Sequence, residues 1–126
     1  MKKGKSSWIR LGVAGVDSGQ LMVCDPCYLG DWVDNQSNDA VPDGDFSYAG
    51  ACKKTIEAEG GQLNFKAGHA GAGVVFTSGF GDGCYEVLAK VTDYGDMGQR
   101  VEEVRIKLIG KSNIKLMEHL LGKTQH

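Results

Sequence analysis

Nineteen glycines and only two prolines in 126 residues constrain this chain more than any other feature. That is about twice the ordinary share of glycine. Each glycine inside a helix costs about 1 kcal/mol relative to alanine, so a mostly helical fold is disfavoured. Strands joined by tight turns are favoured, because glycine supplies the positive φ that such turns need. The length is that of one domain, 1–126. A chain of this size buries roughly two-thirds of the surface its unfolded form exposes.

The net charge of -2 hides an asymmetry. From Leu11 to Cys52 there is no lysine or arginine, and seven aspartates lie there: Asp17, Asp25, Asp31, Asp34, Asp39, Asp43 and Asp45. The rest of the chain holds nine acids and fourteen bases. All six glutamates fall outside the acidic stretch. Aspartate favours turns and caps, so the acidic stretch is expected to be mostly loop, with a long acidic loop at 31–45. Loops of that length are often functional.

Periodicity places the remaining elements. Trp8 to Val16 is a predicted strand, and Leu21 to Cys24 a second; Asp17-Ser18-Gly19-Gln20 between them reads as a hairpin turn. Phe46 to Glu59 fits either strand or helix, with Gly60-Gly61 as its end. Gln62 to Lys66 is a short strand. Val74 to Phe80, Cys84 to Asp93 and Arg100 to Ile109 read as a three-stranded antiparallel meander, closed first by Gly81-Asp82-Gly83. In the last strand Val104, Ile106 and Leu108 are expected to point inward. Ser112 can cap a final helix over 112–122, with Ile114, Met117, Leu120 and Leu121 as its apolar stripe and Gly122 as its stop. Residues 1–6 are expected to be a flexible N-terminus. The fold class is therefore mostly β: an antiparallel sandwich or half-open barrel with a C-terminal α-helix.

Several motifs fail on spacing. The Gly-Lys-Ser and Gly-Lys-Thr triplets at Gly4, Gly110 and Gly122 lack the earlier glycine of a phosphate-binding loop. Gly79-Phe80-Gly81-Asp82-Gly83 has the wrong spacing for a dinucleotide site. Asp43-Gly44-Asp45 begins like a calcium loop, but the later positions hold Tyr48 and Lys54 where glycine and glutamate are needed. Cys24-Asp25-Pro26-Cys27 has zinc or redox spacing, but Cys52 and Cys84 do not form a second pair. Structural thiols are the favoured reading. No apolar run is long enough to span a membrane. Lys2, Lys3 and Lys5 begin like a signal peptide, but Arg10 and Asp17 break the apolar stretch that should follow. A cytoplasmic location is the expectation. Nucleic acid is disfavoured by the acidic block and by the interleaving of bases with glutamates.

Three pieces of the chain form a recurrent pattern: Val16-Asp17-Ser18-Gly19-Gln20-Leu21, Cys24-Asp25-Pro26-Cys27-Tyr28, and Gly73 through Val87 with its Ser78-Gly79-Phe80-Gly81-Asp82-Gly83 core. This resembles small uncharacterised proteins of bacteria, phages and mobile elements, built on the same two hairpins. The resemblance covers about a quarter of the chain. It implies a compact, mostly β domain, and it carries no known activity, so no catalytic residue transfers.

Both islands set an aspartate beside a glycine-rich turn. If the hairpins pack side by side, Asp17, Asp25 and Asp82 converge with Tyr28, Ser78 and Tyr85 at one end of the sheet. The competing reading is that these aspartates cap their own turns. The acidic loop adds Asp31 and Trp32 as ligand-binding candidates, and His69 is a lone histidine among glycines. The leading expectation is a cytoplasmic, non-enzymatic accessory module that binds a cationic small molecule or a basic protein surface through the acidic loop. No cofactor is required, although Asp25 and Asp82 suit weak binding of a divalent cation. The alternatives are a metal-dependent hydrolase using the Asp cluster, with His69, and a structural homo-oligomer paired through sheet edges.

Overall fold

Two three-stranded antiparallel sheets organise the chain, in a computed structural model that describes residues 3–34 and 45–110. The strands are β1 (Ser6–Val16), β2 (Gln20–Val23), β3 (Gly60–Asn64), β4 (Ala70–Thr77), β5 (Gly83–Asp93) and β6 (Gln99–Ile106), with one helix, α1 (Tyr48–Glu57). The fold is mostly β, as the glycine content and the alternating patterns indicate. The helix expected at 112–122 and positions 35–44 of the acidic loop lie outside the described residues.

The strand order is β1-β5-β6 in one sheet and β2-β4-β3 in the other. These sheets belong to two compact units: Ser18–Gly81, and Met1–Asp17 together with Asp82–His126. Two expected pairings are corrected by this order. β1 does not form a hairpin with β2, and β4 does not form one with β5. The expected meander keeps only its β5–β6 half. The physical reason is length and backbone satisfaction. β1 and β5 are both eleven residues long and pair along their whole course, from Ser6↔Thr92 to Val16↔Gly83. Turn residues instead mark where the chain leaves one sheet for the other, with Gly19 (φ 73°) and Gly81 (φ 110°) in the left-handed region.

In the unit Ser18–Gly81, α1 packs on β3 and β4. Ser47 caps it: the Ser47 hydroxyl accepts the Gly50 N–H at 2.9 Å. The core holds Phe46, Ala51, Leu63, Ala72 and Val75, flanked by Met22, Cys24, Tyr28, Trp32 and Phe65. Gly60 and Gly61 open β3 rather than ending the preceding element.

In the other unit, the ladder begins before β1 is regular. The Gly4 N–H donates to the Asp93 carbonyl, and the Asp93 N–H to the Lys5 carbonyl. β6 departs from expectation. Val104 is 53% exposed rather than inward-facing, and Leu108 lies past the strand end. The reason is position: β6 is an edge strand, and Glu102 is an extra residue in it, between the Lys90↔Glu103 and Val91↔Val101 pairs.

Candidate functional site

The described ends of the acidic loop are held together by a clamp. The clamp starts at Asp25, whose carboxylate accepts the Cys27 N–H at 2.9 Å. Pro26 then opens a short 3₁₀ turn, Pro26–Asp31, where its missing N–H costs nothing. The Trp32 N–H donates to the Leu29 carbonyl and ends the turn. Val33 follows in extended form. Its N–H donates to the Phe46 carbonyl at 3.3 Å, and its carbonyl accepts the Tyr48 N–H at 2.9 Å. Val33 and Ser47 thus form a parallel bridge that brings both ends of the segment to one place.

Aromatic packing fixes the clamp to the core. Trp32 meets Phe46 edge to face, with ring centres 5.2 Å apart, and Tyr28 meets Phe65 in the same way at 4.9 Å. Such pairs add about 0.5–1.5 kcal/mol beyond their burial. Asp45 is used internally: its carboxylate accepts the Asn64 N–H and lies 3.7 Å from the Lys54 ammonium. Asp25, Asp31 and Asp34 are exposed, beside Leu29, which is 55% exposed, and Val33.

The candidate residues are divided between the two units. Asp25, Tyr28, Asp31, Trp32, His69 and Ser78 belong to the unit Ser18–Gly81; Asp17, Asp82 and Tyr85 belong to the other. Asp25 caps its own turn, as the simpler of the two readings has it. Ser78 is buried and structural. Its hydroxyl donates to the Gly81 carbonyl at 2.8 Å, and its N–H donates to the Gly19 carbonyl. His69 is exposed, and its carbonyl accepts the Phe65 N–H. Tyr85 is buried in β5, while Asp17 and Asp82 are exposed. All four cysteines are free thiols. Among the described residues, no three of His, Cys, Asp and Glu are grouped to hold a metal. No helix among them is long and apolar enough to cross a membrane.

One charged cluster was not read from the sequence. Glu102 accepts from Lys3 (2.6 Å) and the Tyr94 hydroxyl (2.8 Å) on one oxygen, and from Lys90 (3.2 Å) and the Thr92 hydroxyl (2.9 Å) on the other. Because the Thr92 hydrogen goes to Glu102, Ser6 donates to Thr92 at 2.7 Å. The hydrogen bonds from Lys3, Tyr94 and Thr92 hold the Glu102 carboxyl down at about 2. Lys90 and Thr92 lie two apart in β5 and so share a face; the bulge that turns Glu102 to that face was not legible in the sequence.

No family model, no curated protein and no solved structure matches the chain.

Proposed function

We propose that this protein is a non-enzymatic binding module that engages a basic protein surface through the acidic segment 31–45. The observation that carries this reading is the clamp at Val33, Phe46 and Tyr48. It fixes the described ends of the acidic segment, where Asp25, Leu29, Asp31, Val33 and Asp34 are all exposed. Asp39 and Asp43 add charge within the same segment. Exposed carboxylates around a small apolar centre suit a partner that offers lysine or arginine around an apolar side chain. The unit Ser18–Gly81 carries eight acids against three bases, so its field attracts such a partner at a distance. In this reading the protein is a cytoplasmic accessory protein. The two motif islands around Asp17 and Asp82 support a home among the small proteins of bacteria, phages and mobile elements.

A lysine-rich peptide with a central leucine serves as the probe, with binding followed by calorimetry. Affinity should fall at least about tenfold between low and moderate salt, because exposed charge pairs are screened. The double variant Asp31→Lys/Asp34→Lys should lose binding while keeping the wild-type melting transition. Binding that ignores both salt and the double variant would sink the proposal.

A further inference from the structure

β1 is an edge of its sheet: among the described residues it pairs with β5 alone. Sheet edges are ordinarily blunted by lysine, proline, shortness or bulges. β1 is eleven residues long and holds neither lysine nor proline. Its one charged residue, Arg10, is already paired with Glu86 at 2.8 Å. Its bulge falls at Leu11 and leaves Ser6–Arg10 regular. Four large apolar side chains of this strand are exposed: Trp8 39%, Ile9 45%, Leu11 56% and Val13 55%. Single exposures are ordinary, whereas four on one edge strand mark an association surface.

The phase of the hydrogen bonds shows which backbone groups face outward. The Asp93 N–H donates to the Lys5 carbonyl. Bonding alternates along an antiparallel pair. Ser7 and Ile9 therefore bond to β5, while Ser6, Trp8 and Arg10 turn their N–H and carbonyl groups to the edge. The Ser6 and Thr92 hydroxyls meet at 2.7 Å, in keeping with the close approach of side chains at non-bonded positions.

We propose that Ser6–Arg10 pairs antiparallel with the same segment of a second copy, Trp8 opposite Trp8 on a two-fold axis. In this register the edge-facing Ser6, Trp8 and Arg10 meet Arg10, Trp8 and Ser6 of the second copy, which supplies about six backbone hydrogen bonds. No like charges stand opposite, and the tryptophans add an aromatic pair. The edge-facing residues are spaced evenly about Trp8, as a two-fold contact requires. The other edge of the sheet rejects a copy. Glu102 bulges β6, and Arg100-Val101-Glu102-Glu103-Val104-Arg105 reads the same in both directions. Pairing it antiparallel about its centre would set Glu against Glu and Arg against Arg. Two copies thus join at β1 into one sheet with the strand order β6-β5-β1-β1-β5-β6. This contact is independent of the acidic segment, which belongs to the unit Ser18–Gly81.

Light scattering and hydrogen exchange on the full chain test the pairing. The wild type should pass from monomer to dimer as its concentration rises through the micromolar range, the regime of a small interface. Across that range the amides of Ser6, Trp8 and Arg10 should slow at least about tenfold, because they gain partners while Ser7 and Ile9 already have theirs. A monomer throughout, or a dimer that slows other amides instead, overturns the proposal. Trp8→Lys sets two ammonium groups on the axis and should weaken the dimer at least about tenfold, whereas Val104→Lys in β6 should leave it intact. A dimer that survives Trp8→Lys but is lost with Val104→Lys also overturns the proposal. Should Trp8→Lys fail to fold, the wild-type exchange measurement decides.

Discussion

Replacing Gly50 by alanine sets helix propensity against packing, because the two arguments have opposite signs. Gly50 is the third residue of α1, where alanine is favoured over glycine by about 1 kcal/mol. Propensity alone thus forecasts a more stable protein. The structure forecasts the reverse. A Cβ at Gly50 would stand 2.8 Å from the Asp45 carbonyl carbon and 2.9 Å from the Asp45 Cβ, and nearer still to the Asp45 carbonyl oxygen. Ordinary carbon–carbon contacts are about 3.5–4 Å, so Asp45 must retreat by roughly 1 Å. Its carbonyl, however, accepts the Ser47 N–H at 2.8 Å, and its carboxylate accepts the Asn64 N–H. Weakening those two bonds costs about 1 kcal/mol each. Forcing an extra methyl into a packed site costs about 1–3 kcal/mol. Subtracting the propensity gain leaves a net loss of about 2–4 kcal/mol, against a total stability of about 5–15 kcal/mol. Urea unfolding followed by circular dichroism reads this as a lower midpoint at constant slope. Gly12→Ala is the control, since nothing lies within 4 Å of a Cβ there, and it should change stability by less than about 1 kcal/mol. A Gly50→Ala midpoint equal to or above that of the wild type would refute the packing argument.

Three other perturbations have clear expected outcomes. Leu63 is fully buried in the core beside Phe46 and Val75, so Leu63→Ala should cost about 2–5 kcal/mol through the cavity it leaves, measured in the same urea titration. Ser47→Ala removes the cap of α1 and should cost about 1 kcal/mol; a urea midpoint equal to that of the wild type would mean that the cap bond to Gly50 contributes nothing. For Glu102 the folded carboxyl sits at about 2, below its ordinary 4.5, so its contribution is complete above the unfolded value and is lost as pH falls from there toward 2. Wild type should therefore lose its stability advantage over Glu102→Gln as acid is added through that window, while the difference stays flat above it; parallel thermal melts at every pH would show that the cluster stores nothing.

Local rules read well along this chain, and non-local ones did not. The periodicity of Cys84 to Asp93 located β5, and that of Leu21 to Cys24 located β2 to within a residue. The ambiguity at 46–59 was a real one. Its helix carries a local cap at Ser47, but what decides it is the burial of Ala51 with Leu63, Ala72 and Val75, which is a tertiary fact. Pairing failed for the same reason. Asp17-Ser18-Gly19 and Gly81-Asp82-Gly83 carry hairpin chemistry, yet each ends a strand in one sheet and precedes a strand in the other. Turn preference fixes where a chain bends, not which strand it then meets. Of the candidate site, the acid-rich stretch was legible, because charge is a property of composition. The clamp was not, because it needs Val33 to meet Phe46, Ser47 and Tyr48 across the loop.

The two chain crossings also locate the charge asymmetry. Val16 pairs with Gly83 at one boundary. On the other side Gln20 pairs with Thr77, and Ser78 bonds to Gly19. Each unit is thus closed by its own hydrogen bonds where the chain leaves it, and Ser18–Gly81 is in effect an insertion at the tip of a β1–β5 hairpin. Insertions at such tips are well tolerated. The insertion carries half of the sixteen acids but only three of the fourteen bases. The remainder keeps eleven bases for eight acids, and spends several of them around Glu102, Glu86 and Glu103. Among the described residues of the β1-β5-β6 unit, four bases, Lys3, Arg10, Lys90 and Arg105, are paired with Glu102, Glu86 and Glu103. In the inserted unit Lys54 is paired with Asp45, while Asp25, Asp31 and Asp34 stay exposed to water. Exposed carboxylates at the clamp are what a cationic partner can use, and that is why the binding reading rests on the insertion rather than on the sheet.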